Sequence, residues 1–565
     1  MPTGGPAGGL VLRRAIRGQR RRVVSSSLLG MTHQGCEALV PVVIGVIIDS
    51  AVATRDSGAL LRWLIVLAVL FLVLSTSYRT SARITEGAAE HAAHRLRLEL
   101  GTRVLDPRGG ADENRLPGAL TSIATNDARR VGSVTTVISY GVAALAGLAI
   151  SAVALIRISV PLGLLVLLGI PPLLWLGHKI SRPLERRSET EQEHAAHASG
   201  VAADLVSGLR VLKGMGAESA AVSRYRTTSQ DSLAAALRAA RSRAGHEGAV
   251  LALTGVFIAI IGVVGAYLAM RGSISVGDLV AAVGLAQFLL GPFQLLTYVN
   301  AEFAQGRASA RRIAEVLASP ATVEGGEAEP GEAADGHLRL RGVSLGALRG
   351  VDLDLPAGSL TGIVTKDPAA ANDLLLCLAR ERDPSEGVIE LDGVPLTGLD
   401  PDALRRAVLV AHHDADLFES TLLDNVRAGA DGDSAAVDSA LKASAADDVA
   451  QLLPDGGDTL LAERGRSLSG GQRQRVALAR ALAADRAVLV LHDPTTAVDT
   501  VTESRIAAQL RDVRRGRTTV LVTTSPALLA VTDRVVILDD GAVQADGSHP
   551  ELLAADESYR AAVLA

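Results

Sequence analysis

The sequence predicts an all-α membrane domain followed by an α/β domain built around an anion site. Three observations predict it. At 565 residues the chain is too long for one ordinary domain, and its 48% hydrophobic residues and mean hydropathy of +0.29 suit a mixture of lipid-embedded and soluble parts. Long apolar stretches crowd its N-terminal part, each able to cross a hydrocarbon core of roughly 30 Å. After them, Ser467–Asp499 reads as a glycine turn, a helix, an apolar strand and an acidic turn.

The N-terminus is basic, with Arg13, Arg14, Arg17, Arg20, Arg21 and Arg22. The apolar stretch after it is too long for a cleaved signal peptide, and no small-x-small site stands at the right distance. A cytoplasmic arm before a first span is expected. The candidate spans are Val23–Val52, Leu60–Thr80, Val134–Ile158, Val160–Ile180, Ala249–Met270 and Val276–Val299. Polar segments come after the second and fourth, Arg79–Ser133 and Ser181–Glu247, and carry Arg95, Arg97, Arg103, Arg129, Arg186, Arg187, Arg210 and Lys213. The opposite turns have little beyond Arg55 and Arg271. That asymmetry places both long segments and both termini in the cytoplasm of a multi-pass protein of the cell membrane, plasma or inner. Ala-, Leu- and Arg-rich runs around Glu90–Val104 and Leu233–Arg243 predict helices that continue past the bilayer.

A net charge of −5 gives no general attraction to nucleic acid. Cys36 and Cys377 lie far apart in sequence, against a disulfide framework or a zinc site. The pairs His91/His94 and His194/His197 have helix-compatible metal spacing but no further ligand, so no metal site is expected. Inside the expected spans the polar residues are His33, Gln34, Glu37, Gln287, Gln294 and Tyr298. Intramembrane ionisable groups mark pathways. Glu37 is the candidate contact for a cationic substrate, with Gln34, Gln287 and Gln294 beside the path; a hydrogen bond to a neighbouring helix is its structural alternative.

Ser469, Gly470 and Gly471 sit at the expected start of a helix, where unpaired N–H groups and the positive end of the dipole meet an anion. Gln472 completes the motif. In the helix pattern from Arg473 to Leu482, Val476, Leu478, Ala479 and Leu482 lie on or near one face. The strand Val488–Leu491 runs into His492-Asp493-Pro494, and Asp499 stands beyond them. Leu468–Gln472, the helix, the strand and the spaced aspartates resemble the signature motif, Walker B strand and D-loop of an ATP-binding cassette. Val201–Glu218, Gly272–Leu279 and Ala308–Leu317 are similar to the second intracellular loop, the turn before the sixth helix and the exit from it in ABC transporters of the exporter class. The resemblance covers nearly the whole chain. It implies about six transmembrane helices with long cytoplasmic extensions, then an α/β P-loop-type cassette. The expected boundaries are 1–318 for the transmembrane domain with its arm, 319–336 for a linker and 337–565 for the cassette.

Against that family pattern, one nucleotide face has lost its parts. Where a phosphate loop would read G-x-x-G-x-G-K-[ST]-[ST], this chain reads Thr365-Lys366-Asp367-Pro368-Ala369-Ala370-Ala371-Asn372-Asp373. No glycine brings backbone to phosphate, Pro368 lacks an N–H, and Ala371 stands at the lysine position. Asp373 is expected to set a negative charge near a triphosphate, a repulsion of roughly 1–4 kcal/mol at ~4 Å. Lys366 is a possible substitute cation at the wrong end of the loop. His492 falls at the magnesium-associated aspartate, Asp493 at the catalytic glutamate as a shorter base, His413 at the Q-loop glutamine and Thr524 at the switch histidine. No aromatic stands between Leu340 and Leu355 to stack on adenine.

The opposite face is complete in Ser469, Gly470, Gly471, Gln472 and Asp499, and Leu461–Gly465 resembles the exporter segment that senses the intracellular loops. The family sandwiches each ATP between the Walker side of one cassette and the signature of another. The resemblance therefore implies a partner half-transporter with intact Walker motifs, with ATP and Mg2+ at the shared site and a weak or empty site on this chain. The alternative is a non-catalytic regulatory or docking subunit, in which an intact signature has no work to do.

Overall fold

The computed structural model describes residues 6–113, 115–331, 335–414, 416–430 and 434–564, and leaves the side chains of residues 6–7 and 182–186 aside. Residues 332–334 of the expected linker, the Arg186 side chain and Ala415 beside the expected Q-loop thus lie outside the described residues. The chain divides into two compact units, Met1–Gly101 with Pro117–Leu317, and Thr102–Leu116 with Ala318–Ala565.

The first unit is helical: α1 (Pro6–Gly18), α2 (Arg20–Ile47), α3 (Ser57–Val104, its last turn in the other unit), α4 (Pro117–Ser122), α5 (Ala128–Ile158), α6 (Val160–Ser207), α7 (Leu209–Met215), α8 (Glu218–Met270) and α9 (Val276–Leu317). Among the described residues, six stretches are long and apolar enough to cross a membrane: Arg20–Val52, Ser57–Val104, Pro117–Ile158, Val160–Ser181, Glu218–Met270 and Val276–Leu317. Each contains one of the expected spans, and the helices run on through the polar segments, as the alanine-rich runs predict. Arg157 and Pro161 mark the break between α5 and α6, where Ser159 is extended and Pro161 enters the first turn. The short helix α7 lies within Val201–Glu218 and ends at Gly216 in the left-handed conformation, φ 63°.

Small residues let these helices approach. A Cβ on Gly45 of α2 would lie 2.5 Å from the Gly277 carbonyl of α9, so only glycine fits. Four residues on, in a wide turn of Ile48–Val52, the Asp49 carboxylate accepts from the Gly277 amide at 2.9 Å and from the Ser275 hydroxyl, capping α9 from a neighbouring helix. At the far end of α9, buried Asp127 accepts from Arg312 Nε at 2.7 Å and from Ser309 Oγ at 2.9 Å.

The second unit holds two sheets. One is four-stranded and antiparallel, ordered β2-β1-β4-β5: β1 (Leu338–Leu345), β2 (Leu348–Leu355), β4 (Glu386–Leu391) and β5 (Val394–Pro395). The other is six-stranded, ordered β10-β9-β3-β8-β7-β6: β3 (Leu360–Val364), β6 (Val408–Ala411), β7 (Val488–His492), β8 (Thr518–Val522), β9 (Arg534–Asp539) and β10 (Ala542–Gly547). All its pairs are parallel except β9 with β10. β3 and β8 are buried throughout, as strands covered on both faces must be. The helices are α10 (Pro368–Leu378), α11 (Pro401–Ala407), α12 (Leu422–Arg427), α13 (Ser434–Ala443), α14 (Ala446–Leu452), α15 (Gly470–Ala483), α16 (Thr500–Val513), α17 (Pro526–Leu529), α18 (His549–Ala555) and α19 (Glu557–Val563). In a parallel sheet the chemistry gathers beyond the carboxyl ends of the strands. Here those ends lead into Thr365, His412, Asp493 and Thr523.

The expected linker differs from a free tether. Val323 is buried, Ala328 pairs with the Gly398–Asp400 turn, and the Glu324 carbonyl accepts from Arg380. The reason is Arg380 itself: its guanidinium is buried and needs acceptors, which it also finds in the Leu399 and Thr397 carbonyls and Asp383. Likewise, Thr102–Leu116 packs with the cassette instead of the membrane helices. Arg103 donates to the Ser319 carbonyl at 3.0 Å, and Pro107 O accepts from Arg405 at 2.6 Å.

Candidate functional site

Two helix starts dominate the strand ends, and they are dressed differently. α15 begins at Gly470 with Ser469 as N-cap. Ser469 Oγ accepts from the Gln472 amide at 3.3 Å, and Gln472 Oε1 accepts from the Ser469 amide at 2.9 Å, a reciprocal capping box. The Gly470 and Gly471 amides find no acceptor among the described residues. The whole expected motif is thus brought together at one positive helix end. The turn carrying Asp499 lies against it: a Cβ on Gly471 would sit 2.4 Å from the Ala497 carbonyl. Asp499 caps α16, accepting from Thr502 N at 2.9 Å, and that amide holds its carboxyl below the usual range. Gly471 is therefore required by backbone crowding within its own cassette.

α10 begins at Pro368, four residues after β3 ends. Its N-cap Asp367 accepts from the Ala369 amide at 2.9 Å, so the chain's own carboxylate sits on this helix start. The Asp-Pro pair before an alanine run is a legible helix start, and it was the signal available for a residue that the motif register alone passes over. Ala371 lies inside the helix, buried, and Asn372 is exposed. Two expectations are corrected. Asp373 does not project toward a phosphate position; its carboxylate accepts from the Ala347 amide at 2.8 Å, across the β1–β2 turn. That turn needs an acceptor, and the α10 backbone brings Asp373 beneath it, against Gly346. Lys366 is no substitute cation there, because its Nζ donates to Ser558 Oγ at 2.9 Å on α19.

His492 ends β7 with its ring edge-on to His413, centroids 5.1 Å apart. Burial pushes its pKa down, Asp493 at 3.7 Å opposes that, and His492 Nδ1 has no hydrogen-bond partner among the described residues. Asp493 takes the left-handed conformation, φ 44°, its amide bonded to the Val522 carbonyl at 3.0 Å. Thr524 is exposed past β8, and the next residue, Ser525, donates to Glu503 at 2.8 Å.

Within the membrane unit, His33 Nε2 stands 3.5 Å from Glu37 Oε2, and His33 Nδ1 meets the Leu74 carbonyl at 3.1 Å. Tyr78 closes on the His33 ring, centroids 5.0 Å apart. Gln34 turns to another side, toward Gly147, and its Oε1 is buried without a partner among the described residues. Gln287, Gln294 and Tyr298 are exposed on α9.

A membrane helical unit fused to an α/β unit with a signature helix defines the class, and comparison with known proteins gives the family. Residues 24–293 match the ABC transporter transmembrane region, and residues 348–496 match the ABC transporter cassette. A multidrug efflux ATP-binding/permease protein of Mycobacterium tuberculosis is 32% identical over 92% of this chain, which spans 44% of that relative's length. An ATP-dependent lipid A-core flippase of Chromohalobacter salexigens is 29% identical, with 84% of this chain and 83% of that protein aligned. The solved structure of a bacterial Atm1-family ABC exporter with ATP bound superposes with a TM-score of 0.74 at 25% identity, covering 96% of this chain and 97% of the other. The chain belongs to the ABC transporters, as an exporter with its transmembrane region and cassette on one polypeptide.

Proposed function

We propose that this chain is one half of a heterodimeric, ATP-driven exporter, lending its signature to a catalytic site whose Walker residues belong to a partner half-transporter. The observation that carries this reading is the contrast between the two helix starts. α15 keeps the capping box of Ser469 and Gln472 and leaves two glycine amides open. α10 has Pro368 at its first position and Asp367 on its Ala369 amide.

Those donor sets differ in what they fit. Ser469, Gly470, Gly471 and Gln472 suit the triphosphate of ATP·Mg2+ held from the other side by a partner. Asp367, Ala371, Asn372, Asp373, His413, His492 and Thr524 do not: a carboxylate caps the helix start, alanine stands at the lysine position, Lys366 is bonded to Ser558, and His492 stands at the magnesium-associated aspartate. Asp493 keeps a carboxylate at the glutamate position but has no magnesium partner in cis. ATP, when bound, supplies the free energy for transport. This chain's residues orient it, and hydrolysis runs on the partner's lysine, glutamate and histidine. The Mycobacterium tuberculosis relative has more than half its length outside the match, room for a second half. Both termini are then cytoplasmic, on the arginine asymmetry. On the cargo path we place Glu37, half exposed beside His33, with Gln34, Gln287 and Gln294.

The test is ATPase activity of the chain alone, of its complex with the partner, and of that complex carrying Ser469→Arg. Activity in the complex only, abolished by Ser469→Arg, is expected. A rate untouched by Ser469→Arg would replace this reading with that of a regulatory or docking subunit.

A further inference from the structure

Gln474, two residues past the signature, uses its whole side-chain amide. Nε2 donates to Thr496 Oγ1 at 2.7 Å and to the His413 carbonyl at 3.3 Å. Oε1 accepts from the Ala497 amide at 2.8 Å. One side chain on α15 thus ties together the segment after β6 and the turn after β7. That turn is the one crowded against the signature: Ala497 presents its carbonyl 2.4 Å from a Cβ on Gly471, and its own Cβ 3.4 Å from one on Gly470. Behind the junction stand the crossed rings of His413 and His492. Both occupy positions where the family places groups that attend the nucleotide of the same cassette.

We propose that Gln474 is a positioning residue: it holds the Thr496–Ala497 turn against Gly470 and Gly471, and anchors that turn to the His413 backbone. The degenerate strand ends then serve as a fixed backing for the signature, which this cassette offers outward. The geometry explains why His413 can stand at the Q-loop position without loosening α15. What Gln474 needs from that side is a backbone carbonyl, and a residue of any type supplies one. The catalytic consequence rests on the proposed function in trans; the clamp itself does not.

The experiment has two arms. In the full-length chain in lipid nanodiscs, hydrogen exchange is measured at the Ala497 amide in wild type, Gln474→Ala and Gln474→Glu. Gln474→Ala is expected to speed exchange at Ala497 about tenfold, while Gln474→Glu, which keeps an acceptor oxygen, leaves it within about twofold of wild type. In the complex with the partner, Gln474→Ala is expected to lower kcat about tenfold with KM for ATP within about twofold, and Gln474→Glu to recover part of the loss. Unchanged exchange at Ala497 in Gln474→Ala overturns the clamp. Unchanged kcat in Gln474→Ala, in a complex that Ser469→Arg silences, overturns the positioning role and leaves the trans site standing. A complex indifferent to both substitutions overturns the trans site and, with it, the catalytic half of this proposal.

Discussion

Asp367 and Asp373 are both acidic, stand near the same lysine-less helix start, and do opposite things. Asp367 stays at the helix start and caps it; Asp373 leaves it and binds the β1–β2 turn. The absence of glycine from Thr365–Asp373, and the alanine at 371, were plain in the sequence, because a motif either has its residues or lacks them. The direction of Asp373 was not, because its partner Ala347 lies 26 residues away and comes close only once two sheets have formed. Lys366 is hidden in the same way, since Ser558 lies 192 residues on. At this scale, restoring one residue is expected to fail. Ala371 is 5% exposed inside α10, so Ala371→Lys buries an ammonium group without forming a loop around it. Photolabelling of this chain by an azido-ATP should not rise, and denaturant melts should show roughly 2–4 kcal/mol of lost stability. Strong new labelling in the single variant would sink the account of this helix start.

Elements were legible where apolar runs set them. All six spans, the α15 helix and the β7 strand come from periodicity and length, since burial in lipid or in a covered sheet leaves few alternatives. Helix ends were less legible. α3 ends at Val104, where the alanine-rich run Glu90–Val104 ends, but α8 starts at Glu218, well ahead of the run Leu233–Arg243, held by packing that a hydropathy window does not see. The junction of α5 with α9 shows such packing. The Asp127 carboxylate is buried there, and its charge is answered by Arg312 and Ser309 together. Removing the cation leaves the Asp127 carboxylate with Ser309 alone, which costs roughly 1–3 kcal/mol since Arg312 is itself part-exposed. Arg312→Ala should therefore expose the Asp127 end of α5 and the Arg312 end of α9 to limited proteolysis, whereas Arg312→Ala combined with Asp127→Asn should recover much of the resistance. Equal cleavage of the two variants would mean that the pair does not bear on this junction.

For the whole molecule, two domains joined by a linker is the division that sequence suggests, and the boundary it misses is Thr102–Leu116. The Pro-Gly-acid run Asp106–Asn114 marks a break in the chain, but not its affinity for the cassette, which is a matter of a few specific bonds. Besides Arg405 to Pro107 O, the Arg108 carbonyl accepts from the Thr322 amide at 2.9 Å, and Arg382 pairs with Glu113 at 3.7 Å. A cassette made from residues 318–565 alone lacks these partners. It should melt lower than the same cassette carrying 102–116 on a flexible leader, by about 2–4 °C for each kcal/mol the segment contributes. Calorimetry of the two proteins decides it, and equal melting temperatures would assign 102–116 to the membrane unit.

The capped start of α10 also bears on ancestry and reversal. Each feature there now supports the present fold: Asp367 serves as a cap, Ala371 fills a buried place, and Asp373 anchors a distant turn. A lineage returning toward a gripping loop would have to give up these supports one at a time, each step weakening the cassette before any bound nucleotide could offset the loss. Under the proposed function such a loss behaves as a ratchet, and a chain that has passed through it depends permanently on whatever supplies the missing half.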